Sequence, residues 1–175
     1  ANSELKADAE RSLAGPAAAK SNRTPGEWRK LLAETGNAAA GERVFFHPNG
    51  PGCYKCHRVE SRGYAVGPDL TFIGRSLSRE KLIDSILEPS KEIAPMFTTW
   101  RILTQDGRER VGTIVGETHD SMVMIADAQG NVAKLHRTAI EERHAVPISI
   151  MPDDVANRMT PKEFQDLLAY LESRK

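Results

Sequence analysis

The run Cys53-Tyr54-Lys55-Cys56-His57 constrains this chain more than any other stretch. The only two cysteines of the 175 residues stand three positions apart, and a histidine follows the second. In that order they form a C-x-x-C-H pentapeptide, the attachment sequence of a c-type haem. Two thiols at this spacing can add to the two vinyl groups on one edge of a porphyrin. The next side chain then lies under the iron, where an imidazole serves as proximal ligand.

The pentapeptide alone leaves three non-haem readings open. One is a disulfide between Cys53 and Cys56. A second is a thioredoxin-like redox pair, which needs a strand before it and a helix opening at the first cysteine. The preceding His47-Pro48-Asn49-Gly50-Pro51-Gly52 reads instead as a loop. The third is a structural zinc site, which needs four ligands; His47 and His57 are at hand, but no second Cys/His pair sits at finger spacing.

The chain is long enough for one domain with a proper core. Lys plus Arg and Asp plus Glu each number 24, so the formal net charge is zero. This argues against a nucleic-acid or anionic-membrane binder, which carries a basic excess. No stretch is apolar for long enough to form a transmembrane segment. The chain opens Ala1-Asn2-Ser3 without a signal peptide, and reads as a mature form or a segment of something longer.

Residues 1–36 read as an N-terminal arm or linker with a short helix. Leu5, Ala9 and Leu13 give a weak helical stripe, and Ala14-Gly15-Pro16 opens a linker-like stretch. Thr24-Pro25-Gly26-Glu27 is a capping box for a short helix carrying Trp28, Leu31 and Leu32. Asn37 caps the next helix, through Gly41 and Phe45. Ser78 caps a third, with Leu82, Ile83, Ile86 and Leu87 on one face. Thr160-Pro161-Lys162-Glu163 opens a final helix with Phe164, Leu167, Leu168 and Leu171. Between the last two helices the period changes. Residues 97–104, 110–117, 121–126 and 131–137 are short, β-branched and punctuated by Asp106-Gly107, His119-Asp120 and Gln129-Gly130. They predict an antiparallel meander of about four strands, with Met122 and Met124 in its core. Because the flanking helices must meet, residues 95–147 read as an insertion.

A haem iron held by His57 needs a second axial ligand or an open site. Methionine is the usual partner. Met151, in the irregular Ile148-Ser149-Ile150-Met151-Pro152, is the first choice; Met96 after Pro95 and His144 are its competitors. Met159, at the helix entrance, reads as core. The other nitrogen of His57 needs a partner that fixes its tautomer. Gly67-Pro68 offers the Pro68 carbonyl or, equally on sequence, a simple turn. Arg75 is a candidate for a haem propionate.

Gly41-x-x-x-Phe45, the pentapeptide, Gly67-Pro68-Asp69-Leu70, Met151-Pro152 and the last helix with Leu168-Ala169-Tyr170-Leu171 follow the order of class I cytochromes c. Over residues 37–175 the chain resembles that family. The long gap between Leu70 and Met151 departs from ordinary class I members; with Ile86-Leu87-Glu88-Pro89-Ser90, Asp106-Gly107 and Ser149-Ile150-Met151-Pro152 in order, the chain resembles more narrowly the haem-binding cytochrome c domain common in planctomycetes and verrucomicrobia. The resemblance implies a mainly α cytochrome c fold, with an inserted antiparallel sheet of about four strands between the third helix and the methionine loop. It implies one covalent haem c on Cys53 and Cys56, with Pro68 behind His57 and iron ligated by His57 and Met151. It also implies an extracytoplasmic, periplasm-like location, where such haem is attached.

The function expected is a monohaem electron carrier or relay, not an enzyme in its own right. Its partners would be redox proteins or an upstream dehydrogenase domain of the same chain. Two other readings stand beside it. One is a haem enzyme or gas sensor with an open distal site, for which His136, Arg137, Arg143 and His144 supply polar groups. The other is a non-haem interaction module whose functional surface is the β block; in the cytochrome reading that block could instead dock a redox partner, cover the haem edge or dimerise, with Trp100 and Arg101 on its first strand as candidates.

Overall fold

The computed structural model describes residues 23–175. The weak stripe of Leu5, Ala9 and Leu13 and the linker-like stretch after it lie outside them.

Helix starts follow side-chain capping chemistry. Helix α1 is Pro25–Leu31; the Thr24 hydroxyl accepts from the Glu27 N–H, and the Glu27 carboxylate accepts from the Thr24 N–H at 2.7 Å. Helix α2 is Ala38–Phe46, capped by Asn37, whose side-chain oxygen accepts from Ala40 N–H at 2.9 Å. A short α3, Ile73–Ser76, and α4, Arg79–Leu87 with Ser78 as cap, follow. The last helix, α5, is Pro161–Glu172, opened by a second capping box at Thr160.

Helices α2 and α5 cross at a glycine. A Cβ on Gly41 would overlap the Asp166 carbonyl oxygen and stand 2.8 Å from the Tyr170 Cβ, so only glycine lets the two backbones touch. One turn on, the Phe45 ring lies 5.7 Å from that of Tyr170. Phe45, Phe164 and Leu168 are almost wholly buried in this cluster, together with Trp28 and Leu32.

Of the segment read as an arm, residues 24–36 join the core through Trp28 and Leu32. The Arg79 guanidinium donates to the carbonyls of Leu32 (3.1 Å) and Glu34 (2.8 Å), and the Gln165 amide donates to the Leu31 carbonyl at 2.7 Å. These side chains take up backbone groups that the end of α1 leaves without helical partners.

The expectation of a mainly α fold is overturned. Helical segments take up 35% and strands 24% of the described residues, which makes this a mixed α and β fold. A two-residue hairpin, β1 (Arg58–Val59) with β2 (Arg62–Gly63), follows the pentapeptide. The main sheet is antiparallel and has five strands: β3 (Thr99–Thr104), β4 (Glu109–Glu117), β5 (Met122–Ala126), β6 (Val132–His136) and β7 (Ile140–Val146), in the order β6-β5-β4-β3-β7. The fifth strand, β7, reads Ile-Glu-Glu-Arg-His-Ala-Val, and all five residues between its ends are exposed. As an edge strand it has no buried face, so its sequence lacks the alternation that marks a strand.

The sheet buries its own small core of Ile102, Val123 and Ile125. The expected core role of Met122 and Met124 is corrected accordingly. Alternation on β5 buries Val123 and Ile125 and leaves both methionines half-buried on the opposite face.

The α2–α5 crossing generates a stability prediction. Gly41→Ala should cost about 1–3 kcal/mol in urea unfolding, because the added methyl has no room. Gly26→Ala, where a Cβ meets nothing within 4 Å, should be neutral or gain up to about 1 kcal/mol of helix propensity. Equal effects at the two positions would contradict this account of the crossing.

Candidate functional site

The pentapeptide begins as a single helical turn. Gly52, at φ +82°, reverses the chain out of the Pro/Gly loop, and Cys53–Lys55 form a 3-10 turn. The His57 N–H closes it on the Cys53 carbonyl at 2.8 Å. The chain then folds back along itself. Tyr64 N–H donates to the Tyr54 carbonyl, Val66 and Gly67 N–H both donate to the Cys56 carbonyl, and Leu70 N–H donates to the Arg58 carbonyl at 2.8 Å. This returning segment brings Pro68 behind His57.

His57 Nδ1 lies 2.9 Å from the Pro68 carbonyl oxygen. A carbonyl can only accept, so Nδ1 carries the proton and Nε2 keeps a free lone pair. Burial holds the imidazole below its ordinary value, with the Pro68 carbonyl pulling the other way. The ring is thus neutral at neutral pH, the form a metal requires. Gly67 covers the ring closely: a Cβ there would stand 2.8 Å from His57 Cε1.

Asp69 fixes this turn. Its Oδ1 accepts from the N–H of Thr71 at 2.9 Å and from the Thr71 hydroxyl, while Oδ2 accepts from Arg58 Nε (3.0 Å) and Nη2 (2.8 Å). The Thr71 hydroxyl and N–H, and then Arg58, hold the Asp69 carboxyl down at about 2. Arg58 adjoins His57 and Asp69 adjoins Pro68, so the ion pair ties the two halves of the His57–Pro68 contact together.

Cys53, Cys56 and His57 open onto one cavity of about 460 Å³. Its walls are mostly apolar: Phe45, Leu70, Ile73, Leu77, Leu82, Ile86, Leu167 and Leu171 come from the helical core. Met151, Pro152 and Val155 line it as well, with Met151 half-buried against that core. The Ser149 hydroxyl accepts from Met151 N–H at 3.1 Å, and the Ser90 hydroxyl from Ser149 N–H at 3.0 Å. The sheet contributes Thr113 from β4 and Ala128 and Gln129 from the β5–β6 turn. At the tip of that turn Gly130 (φ +84°) packs on the Lys55 carbonyl, where a Cβ would stand 2.6 Å away.

The competing ligands lie elsewhere. Met96 is 76% exposed and does not line the cavity. His144 is exposed on edge strand β7, with its Nε2 3.0 Å from Glu142. Met159 does line the cavity, but is 2% exposed and built into the helical core. Arg75 stacks over the outward-facing Phe72 ring at 5.2 Å and is absent from the cavity wall, whose cations are Lys55 and Arg158. His136 and Arg143 on the sheet, and Arg137 in the 3-10 turn between β6 and β7, also lie away from the cavity. His136 contacts Thr138, and both arginines pair with Glu117. Trp100 lies under Arg143 at 5.0 Å, and Arg101 pairs with Glu109.

No protein-family model matches the chain, and no curated protein matches it.

The surroundings of the thiols discriminate among the readings of the pentapeptide. Burial, with the charge of Cys56 adding to it, pushes the Cys53 thiol up to about 12; burial, then the nearby Asp127, raises that of Cys56. A thioredoxin-like pair needs the reverse, a thiol made acidic by its surroundings. The two thiols are not joined to each other. Among the described residues no group of three or more His, Cys, Asp or Glu is close enough together to hold a metal ion. No helix among them is long and apolar enough to cross a membrane.

Sequence reasoning quoted Asp69 and Gly67 without giving either a role. The Asp-x-Thr spacing was the available signal, since an Asp that accepts from a backbone N–H two residues on makes an Asx turn. Gln129 reads in the sequence only as part of a turn, and Thr113 and Ala128 carry no site signal, because a fold contact across the insertion brings all three to the cavity.

Because the folded Asp69 carboxyl titrates at about 2 against an ordinary 3.8, its stabilisation is whole above about pH 4 and is lost as pH falls through about 2. Its partners are well solvated, so Asp69→Asn should cost only about 0.5–1 kcal/mol at neutral pH. Urea unfolding of both proteins should show the gap closing near pH 2. A gap independent of pH would contradict the assigned ion pair and turn.

Proposed function

We propose that this chain is a one-electron carrier of the c-type cytochrome kind. Cys53 and Cys56 would hold one haem covalently, and His57 and Met151 would ligate its iron. The observation that carries this reading is the composition of one cavity. Both thiols, a neutral imidazole backed by a carbonyl, and a thioether from a loop far along the chain line the same apolar space. Its volume of about 460 Å³ lies in the range of small-molecule and cofactor sites, about 300–1,000 Å³.

When bound, the haem supplies exchange of a single electron between ferric and ferrous iron. The protein's part is to hold and tune. Pro68 fixes the His57 tautomer and turns its free nitrogen into the ligand atom. Met151 offers a soft thioether, which with histidine raises the reduction potential. The apolar wall from α2, α4 and α5 keeps water from the site and disfavours the extra positive charge of the oxidised form, which raises the potential further. If His57 and Met151 both hold the iron, small external ligands would have little access.

The partner is a redox protein or a dehydrogenase domain upstream in the same polypeptide. The site of maturation is extracytoplasmic, as the resemblance of the motif order to that of cytochromes c implies. The alternative of an open distal site draws no support from His136, Arg137, Arg143 and His144, which lie on the sheet or in its β6–β7 turn, away from the cavity.

The test is the visible spectrum of protein made in a host able to attach haem c, after acid–acetone extraction of free haem. Sharp low-spin bands should survive extraction, with the far-red thioether-to-iron band present in the oxidised form. Met151→Ala should abolish that band, while Met96→Ala and Met159→Leu should keep it. A high-spin spectrum that shifts with cyanide or carbon monoxide would overturn the carrier reading in favour of an enzyme or sensor.

A further inference from the structure

The chain between Met151 and α5 is short of regular structure. It runs through Pro152 and a 3-10 turn, Val155–Arg158, before the Thr160 cap. Local ties hold it in part: Val155 N–H reaches the Pro152 carbonyl at 3.4 Å, Asn157 N–H reaches the Asp154 carbonyl at 2.9 Å, and Arg158 pairs with Asp154 at 2.7 Å. A distant residue adds another. The indole N–H of Trp28 on α1 donates to the Asn157 side-chain oxygen at 3.1 Å.

Trp28 is well placed as a fixed point. It is 1% exposed, and its ring meets the Phe164 ring edge-on at 5.5 Å between centroids. Its helix is anchored on both sides: Arg29 pairs with Asp84 of α4 and with Glu88, which caps the end of α4, and the Leu31 carbonyl accepts from Gln165 of α5. The turn it grips carries Val155 and Arg158, both on the cavity wall that Met151 shares. Trp28 and Asn157 themselves do not line the cavity.

We infer that Trp28, through its hydrogen bond to Asn157, is a positioning residue that holds the Val155–Arg158 turn and so keeps the Met151 thioether over the iron site. The inference rests on the reading of Met151 as axial ligand. It gives α1, which lies before the segment whose motif order resembles a cytochrome c, a part in setting the ligand. The physical reason is that an axial thioether is a weak ligand on an irregular loop. Each tie to the loop lowers the share of molecules with the methionine off the iron. An indole N–H left without its acceptor would also be costly this deep in the core, so the pair is held in register.

Added imidazole reads that share directly, because it binds iron only where Met151 has left. In haem-loaded protein, Trp28→Phe keeps a ring and removes the N–H; Asn157→Leu removes the acceptor at a half-buried site. Each should tighten apparent imidazole binding about five- to tenfold, the worth of one such hydrogen bond. The double variant should tighten it no further than the stronger single. Ile102→Val, which loosens the separate core of the sheet, should leave imidazole binding unchanged. Wild-type affinity in both single variants, or equal tightening in Ile102→Val, would overturn the inference and leave Met151 as ligand. A wild-type protein that lacks the far-red band would instead overturn the ligand reading, and this inference with it.

Discussion

The contact of Gly41 with the backbone of α5 at Asp166 is the constraint on which the rest depends. It brings the helix that precedes the pentapeptide against the helix that follows the methionine loop. The two halves of the site therefore face each other although the whole β block lies between them in sequence. Phe45 and Leu167, one from each helix, form part of the cavity wall, so the crossing and the site share side chains. A lost contact at Gly41 would separate the cysteines from Met151 before it affected either locally.

Around this crossing the site is built by backbone hydrogen bonds. The returning segment through Tyr64, Val66 and Gly67 fixes the pentapeptide to the chain that carries Pro68. Asp69 and Arg58 lock the closing end of that loop. The result is an imidazole whose proton position is set by geometry, beside thiols kept protonated by burial. Such thiols are poor nucleophiles and poor redox partners for each other. The proposed function uses them as attachment points only.

Much of this was legible in the sequence, for physical reasons. Capping boxes at Thr24 and Thr160 and the caps Asn37 and Ser78 are local, so they could be read without knowing the fold. The pentapeptide pointed to Pro68 and Met151; the structure puts the Pro68 carbonyl 2.9 Å from His57 Nδ1 and Met151 on the wall of the same cavity. The class of fold was misjudged because a motif shared with an α-helical family says nothing about how much sheet a chain adds. Strand β7 escaped because an edge strand with every central residue exposed carries no alternation. The expected propionate contact of Arg75 depended on a long-range arrangement that its sequence does not encode; the ring of nearby Phe72 takes the guanidinium instead. The capping box at Thr24 announced a short helix whose Trp28 packs on the main domain, and Trp28 and Leu32 are among the most buried side chains.

The central claim is that Cys53 and Cys56 are the points of attachment of one haem. The most direct test is the intact mass of the fully denatured protein, made in a host that attaches haem c. The account predicts a mass raised by one haem that resists denaturant and acid, with attachment lost in the Cys53→Ala, Cys56→Ala double variant. A wild-type mass equal to that of the bare polypeptide would contradict it.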